Sequence, residues 1–285
     1  MHLTPNFRGG VALVLLSACA FGSMAIFARA AFAAGANVPG LLAGRFAIAG
    51  IALAAVMVAT GRPFPRGRPL HFAIGMGGIG YVGQAACFFT ALHYASSGLV
   101  ALLLYAYPTL VVILSAAFLG QRLTARRIAL LAASFAGLAL MLGGGTGTPT
   151  GILLGLAAAG IYSVYILVGA RELSGTDAMA STTVICLSAA GTLAIASLVV
   201  DTRLPATAWG WGAVAALGIV GGVVAILAFF AGLKRVGPST ASVVSTFEPV
   251  FTAALAWIVL GETLSGAQLA GGALVVATAA MLARR

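Results

Sequence analysis

Few residues in this chain could do chemistry, and they stand in unusual company. Glu248 lies inside Val243–Leu264, VVSTFEPVFTAALAWIVLGETL, an apolar run of membrane-crossing length, with Pro249 directly behind it. A carboxylate at membrane depth costs roughly 3 kcal/mol on insertion scales, so an acid kept there is a functional-site candidate. It can hold a ligand cation, or pair with a buried base for structure alone. Arg45, in another apolar run, is the candidate partner for an ion pair; its head group can equally snorkel to the outer interface. Pro108 and Pro249 each remove a backbone donor and soften their helix, which makes them candidate hinges. Tyr81, Gln84, Tyr105, Tyr162, Ser245 and Thr246 also sit inside apolar runs and read as walls of a wet cavity. The competing readings are an interfacial aromatic belt for the tyrosines and interhelical hydrogen bonding for Gln84.

Catalysis finds no constellation. His71 and His93 lie at opposite ends of one apolar run, no carboxylates are paired, and no serine stands in a G-x-S-x-G setting. Cys19, Cys87 and Cys186 lack metal spacing and read as small buried hydrophobes. No enzyme activity, metal or cofactor is expected.

The elements that must position these residues follow from composition. Hydrophobic residues make up 61% of the 285 and charged residues 7%, with a mean hydropathy of +1.12. No soluble domain hides that much apolar surface, so the chain reads as an all-α polytopic membrane protein. The +10 net charge sits between the apolar runs, and nothing else supports a nucleic-acid partner. Ten segments emerge, at about Gly9–Ala33, Pro39–Thr60, Leu70–Leu92, Gly98–Leu119, Ile128–Gly144, Ile152–Val168, Met179–Val200, Trp211–Leu233, Ala241–Leu260 and Ala267–Ala283. The first resembles a signal peptide only superficially. It is longer than a signal core and has a counterpart later in the chain, so it is kept as a helix.

With the N-terminus inside, the inner loops collect twelve of the fifteen basic residues, among them Arg62, Arg66, Arg68, Arg122, Arg126, Arg127 and Arg171. The outer loops hold only Arg203. The positive-inside rule therefore places both termini in the cytoplasm.

The chain also repeats itself at an offset of 141 residues. Gly77, Gly80, Phe88 and Phe89 match Gly218, Gly221, Phe229 and Phe230, and Pro108 and Gly120 match Pro249 and Gly261. Each half, residues 1–144 and 145–285, carries five segments, so the halves must lie in opposite orientations. Inverted repeats of this kind mark secondary transporters with a midplane site. GxxxG spacing at Gly40/Gly44, Gly151/Gly155 and Gly218/Gly222 indicates close helix packing.

Two stretches then carry a family resemblance. Tyr107-Pro108-Thr109-Leu110 with Leu119-Gly120-Gln121-Arg122-Leu123-Thr124, and Phe247-Glu248-Pro249-Val250 with Leu260-Gly261-Glu262-Thr263-Leu264, resemble the paired signatures of EamA-type transporters of the drug/metabolite transporter superfamily. Ala20-Phe21-Gly22-Ser23 and Arg45 fit as well. Gln121 departs from the pattern, since a glutamate like Glu262 is usual there. Within the superfamily the chain looks most like the YddG-type amino-acid exporters. The resemblance implies a basket of ten helices around a central cavity, lined by helices one, three, four, six, eight and nine with five and ten as scaffold. It also implies export of small metabolites, amino acids first, across a bacterial inner membrane by alternating access. The expected partners are a small-molecule substrate and the lipid bilayer, with a monomer as the working unit. Export of drugs or other organic cations is the runner-up, because a lone carboxylate suits them too. A channel is disfavoured by two matching halves in one chain.

Overall fold

The computed structural model describes residues 5–121, 124–143, 146–261 and 263–283. The expectations placed on Arg122, Leu123, Glu262, Arg284 and Arg285 lie outside them. Among the described residues there is no strand, only an isolated bridge between Ala95 and Gly147. The helices are α1 (Pro5–Ala33), α2 (Val38–Ala59), α3 (Arg68–Ala91), α4 (Ser97–Leu119), α5 (Ala125–Leu142), α6 (Pro149–Glu172), α7 (Ala178–Ala196), α8 (Ala208–Val236), α9 (Pro238–Val259) and α10 (Gly266–Ala283). Nine of the described helices are long and apolar enough to span a bilayer, and the apolar part of α10, Gly266–Met281, is shorter. This is a multi-pass membrane protein.

Local chemistry sets the helix starts. Asn37, Thr124, Thr148, Asp177 and Thr207 each accept a hydrogen bond from the backbone N–H three residues on, satisfying a donor the helix leaves unpaired. Around the bundle, neighbours run α1, α8, α2, α7, α3, α6, α4, α9 and back to α1, closing a ring. α5 and α10 pack on each other and against the α4–α9 side. Salt bridges gather one end: Arg62 pairs with Asp177 and Arg68 with Glu172, while Lys234 donates to the Thr176 carbonyl. At this end Ser239 Oγ also donates to Gln121 Oε1, so the residue that departs from the family pattern ties the end of α4 to the start of α9. The opposite end holds Asn37, Asp201 and Arg203, joined by hydrogen bonds and one ion pair.

Four helices depart from the regular spans expected from sequence. α3 is π-helical over Met76–Tyr81 and α8 over Leu217–Val224. α4 stops at Leu104 and restarts at Tyr107, and α9 stops at Ser245 and restarts at Glu248. Pro108 and Pro249 therefore sit in the first turn of a new helix instead of kinking a continuous one. That position suits a residue without an N–H. Backbone groups freed inside a bilayer must find partners. The Tyr107 hydroxyl donates to the Ser242 carbonyl at 3.3 Å, and Ser163 Oγ donates to the Tyr107 carbonyl at 3.3 Å. At the wide turn of α8, Arg45 Nη2 donates to the Gly221 carbonyl at 3.3 Å and Ser17 Oγ to the Ala225 carbonyl at 2.8 Å.

The GxxxG glycines do serve contact: a Cβ at Gly218 would meet Ile48 at 2.9 Å, and one at Gly155 would meet Leu103 at 2.8 Å. The tightest approach is at Gly40 of the same set, where a Cβ would run into the Arg203 carbonyl, and a close one outside the set is at Gly77. A methyl at Gly77 would run into the Ile185 carbonyl and Ser188 Oγ of α7. Gly77→Ala is expected to cost about 2 kcal/mol, the overpacking range, and to lower the melting temperature of the purified protein. Gly160→Ala, where a Cβ meets nothing within 4 Å, serves as the neutral control. Equal melting curves for the two would contradict this account.

Candidate functional site: a central aromatic cavity

A cavity of about 440 Å³ opens inside the ring, lined from α1, α2, α3, α4, α6, α8 and α9. That volume lies within the roughly 300–1,000 Å³ of small-molecule sites. Its walls run from mid-depth, at Tyr107 and Glu248, toward the 34–37 turn, where Phe32 and Leu41 line it. Toward the basic end the bundle is closed by Val11, Val14, Phe230, Leu233 and Val236, all buried.

One wall is a run of aromatic rings. Tyr105 and Tyr107 lie 6.2 Å apart by ring centroids, Tyr107 and Tyr162 4.7 Å, Tyr162 and Tyr165 6.0 Å, Tyr165 and Tyr81 6.2 Å, and Tyr81 and Phe46 4.7 Å. Arg45 ends this run. It is 2% exposed, its Cζ sits 4.8 Å from the Phe46 ring centroid, and its Nη2 donates to the Tyr81 hydroxyl at 2.9 Å. Its Nε has no hydrogen-bond partner. The break in α9 places Glu248 in the first turn of Glu248–Leu260, where unpaired N–H groups favour a carboxylate. Thr252, one turn on, joins it on the wall and donates to the Gly22 and Glu248 carbonyls at 3.1 and 3.0 Å.

Glu248, Tyr81, Gln84, Tyr105, Tyr162 and Arg45 thus come together on one cavity. Two expectations need correction. Arg45 and Glu248 share the cavity but make no direct ion pair: Arg45 is drawn sideways to Tyr81 and to the carbonyl released by the π-helical turn. Among the described residues, every other acid touches an arginine, Glu172 with Arg68, Asp177 with Arg62 and Asp201 with Arg203, while Glu248 does not. Second, Ser245 and Thr246 are buried away from the cavity wall. The helix break rotates Thr246 toward α5, where its hydroxyl meets Ser134 Oγ at 3.1 Å. α2 also joins the lining helices, through Leu41, Leu42 and Arg45. Sequence reasoning missed Thr252, although its spacing of four from Glu248 puts it on the same helical face. Phe21, Met24 and Phe88 gave no signal against an apolar background.

The EamA-like transporter family model matches the chain twice, over residues 8–143 and 149–284, with starts 141 residues apart. The chain belongs to the EamA-like transporter family. Over 271 residues it is 27% identical to an uncharacterized transporter of Archaeoglobus fulgidus, across 95% of this chain and 94% of that one. Over 222 residues it is 31% identical to the aromatic amino acid exporter YddG of Ancylobacter novellus, across 74% of this chain and 76% of the relative. A crystal structure of a protein 28% identical superposes with a TM-score of 0.84, over 96% of this chain and 98% of that one. As an EamA transporter the protein moves a small molecule across a membrane and is not an enzyme.

Proposed function

We propose that this EamA transporter exports amino acids with apolar or aromatic side chains across the bacterial inner membrane by alternating access. The observation that carries the reading is a cavity holding one part-buried acid, Glu248, and one buried base, Arg45, not bonded to each other, beside a wall of tyrosines. Glu248 suits an ammonium, Arg45 a carboxylate, and the rings an apolar side chain. An organic cation would satisfy Glu248 alone and meet the repulsion of Arg45. The aromatic amino acid exporter relative supports the same substrate class.

Alternating access rests on the repeat. Exchanging α1–α5 for α6–α10 carries the main neighbouring pairs onto one another: α1 with α8 becomes α6 with α3, and α2 with α8 becomes α7 with α3. The π-helical turns, helix restarts and left-handed caps at Gly120 and Gly261 recur at the offset of the two family matches. Two such halves of five helices would rock about the midplane, with the breaks before Pro108 and Pro249 as hinges. The positive-inside rule puts the basic end in the cytoplasm, so the cavity faces outward here.

Counterflow into liposomes tests the assignment. Labelled phenylalanine or tyrosine is expected to exchange well above protein-free vesicles, and its decarboxylated amine or a cationic dye poorly. Exchange of the dye but not the amino acid would overturn the substrate class. Running the assay with and without a pH gradient separates proton coupling from facilitated export.

A further inference from the structure

A second cavity, of about 750 Å³, lies on the outside of the bundle between α3 and α6. It runs from His71, Phe72 and Val168 near the basic end down to Gly83, Gly160 and Ile161. The thirteen residues of α3 from His71 to Gly83, or about 18 Å at helical rise, cover slightly more than one leaflet of a hydrocarbon core about 30 Å thick. Its lining is almost wholly apolar, and Ile79 and Val164 on its rims are exposed to the bilayer at 79% and 53%. Glycines make the depression without being needed for helix contact. A Cβ added at Gly75 or Gly160 would meet nothing within 4 Å, unlike the glycines buried between helices.

The mouth is charged. Arg68 stacks over Phe72, which lines the groove, with its Cζ 5.3 Å from the ring centroid. Arg171 lies one turn beyond Val168 on α6, and Arg66 lies in the loop before α3. Both Arg68 and Arg171 contact the same acid, Glu172, at 2.8 and 3.4 Å, and their side chains remain 69% and 64% exposed. Three arginines against one carboxylate leave the mouth with positive charge to spare. An apolar furrow one leaflet deep, capped by surplus cationic groups, is complementary to an anionic headgroup with its acyl chain below. Basic pockets between spanning helices bind such headgroups.

We infer that the α3–α6 groove is a binding site for an anionic phospholipid, with one acyl chain in the furrow and the phosphate on Arg66, Arg68 and Arg171. Because Tyr165 lines both this groove and the central cavity, the acyl chain would back the aromatic wall of the transport site. The basic residues of this end are otherwise spread over its loops. The furrow beside these three converts a general surface attraction into a defined site.

Delipidated full-length protein, titrated with dioleoyl phosphatidylglycerol or dioleoyl phosphatidylcholine and read by native mass spectrometry, tests this. Wild type is expected to retain one phosphatidylglycerol preferentially. Gly160→Leu, whose Cβ meets nothing within 4 Å and whose side chain occupies the furrow, is expected to abolish retention of that lipid. Arg171→Gln is expected to weaken phosphatidylglycerol about fivefold, the worth of one basic residue near an anionic surface, and to leave phosphatidylcholine unchanged. Unaltered lipid retention by both Gly160→Leu and a second filling variant, Gly75→Leu, would remove the groove as the site. Equal retention of the two lipids by wild type would remove the headgroup selection. Melting curves for each variant separate lost binding from lost folding.

Discussion

Replacing Glu248 by glutamine is expected to lower amino-acid counterflow about ten- to hundredfold while leaving the protein folded. The side chain lines the cavity and, among the described residues, touches no arginine, so the charge it loses is one directed at the ligand. A hydrogen bond to a charged group is worth about 1.5–3 kcal/mol, which sets that range. Folding should not suffer. Glutamine keeps the shape and removes a part-buried charge whose desolvation is unfavourable, so the melting temperature is expected to hold or rise. Transport at the wild-type rate would end the ligand role of Glu248. A collapse of the melting temperature would make it a structural residue instead.

Arg45→Gln is expected to do the opposite to stability and something different to selectivity. The guanidinium is buried, bonded to the Tyr81 hydroxyl and the Gly221 carbonyl, and packed on Phe46. Its loss leaves a buried carbonyl short of a donor at a cost of about 1–3 kcal/mol and removes a cation–π contact of about 1 kcal/mol. The variant should therefore melt earlier. In counterflow, discrimination between an amino acid and its decarboxylated amine should fall at least tenfold, because the repulsion of the amine and the attraction of the carboxylate vanish together. Arg45→Lys keeps the charge but not the forked geometry and should fall between. A glutamine variant that folds and still rejects the amine would take Arg45 out of substrate recognition.

These two residues also show how far sequence reasoning reached. The depth of Glu248 and Arg45 was legible, because an ionisable side chain inside an apolar run is visible without any fold. Their relation was not. An ion pair with Glu248 and snorkelling to the outer interface were equal readings of Arg45, but the π-helical turn of α8 supplies it with a carbonyl that no regular helix would offer. The prolines were legible as disturbances, yet the chain ahead of each tightens into a turn whose N–H groups bond three residues back, Ala106 to Leu103 and Phe247 to Val244. That turn diverts the Thr246 N–H to Val243, and the Tyr107 hydroxyl of the neighbouring helix donates to the Ser242 carbonyl instead.

By itself the sequence determined the membrane class, the number and approximate limits of the apolar segments, the offset of 141 residues and the family resemblance. Those properties follow from the transfer free energy of short stretches and from turn chemistry, which neighbouring helices barely alter. Only the tertiary structure decided which way each side chain faces. A helix in hydrocarbon is apolar on the lipid side and on the packed side alike, so its periodicity does not tell inside from outside. Thr246 and Glu248 stand two residues apart in one run, and helix packing sends the first to Ser134 on α5 and the second to the cavity.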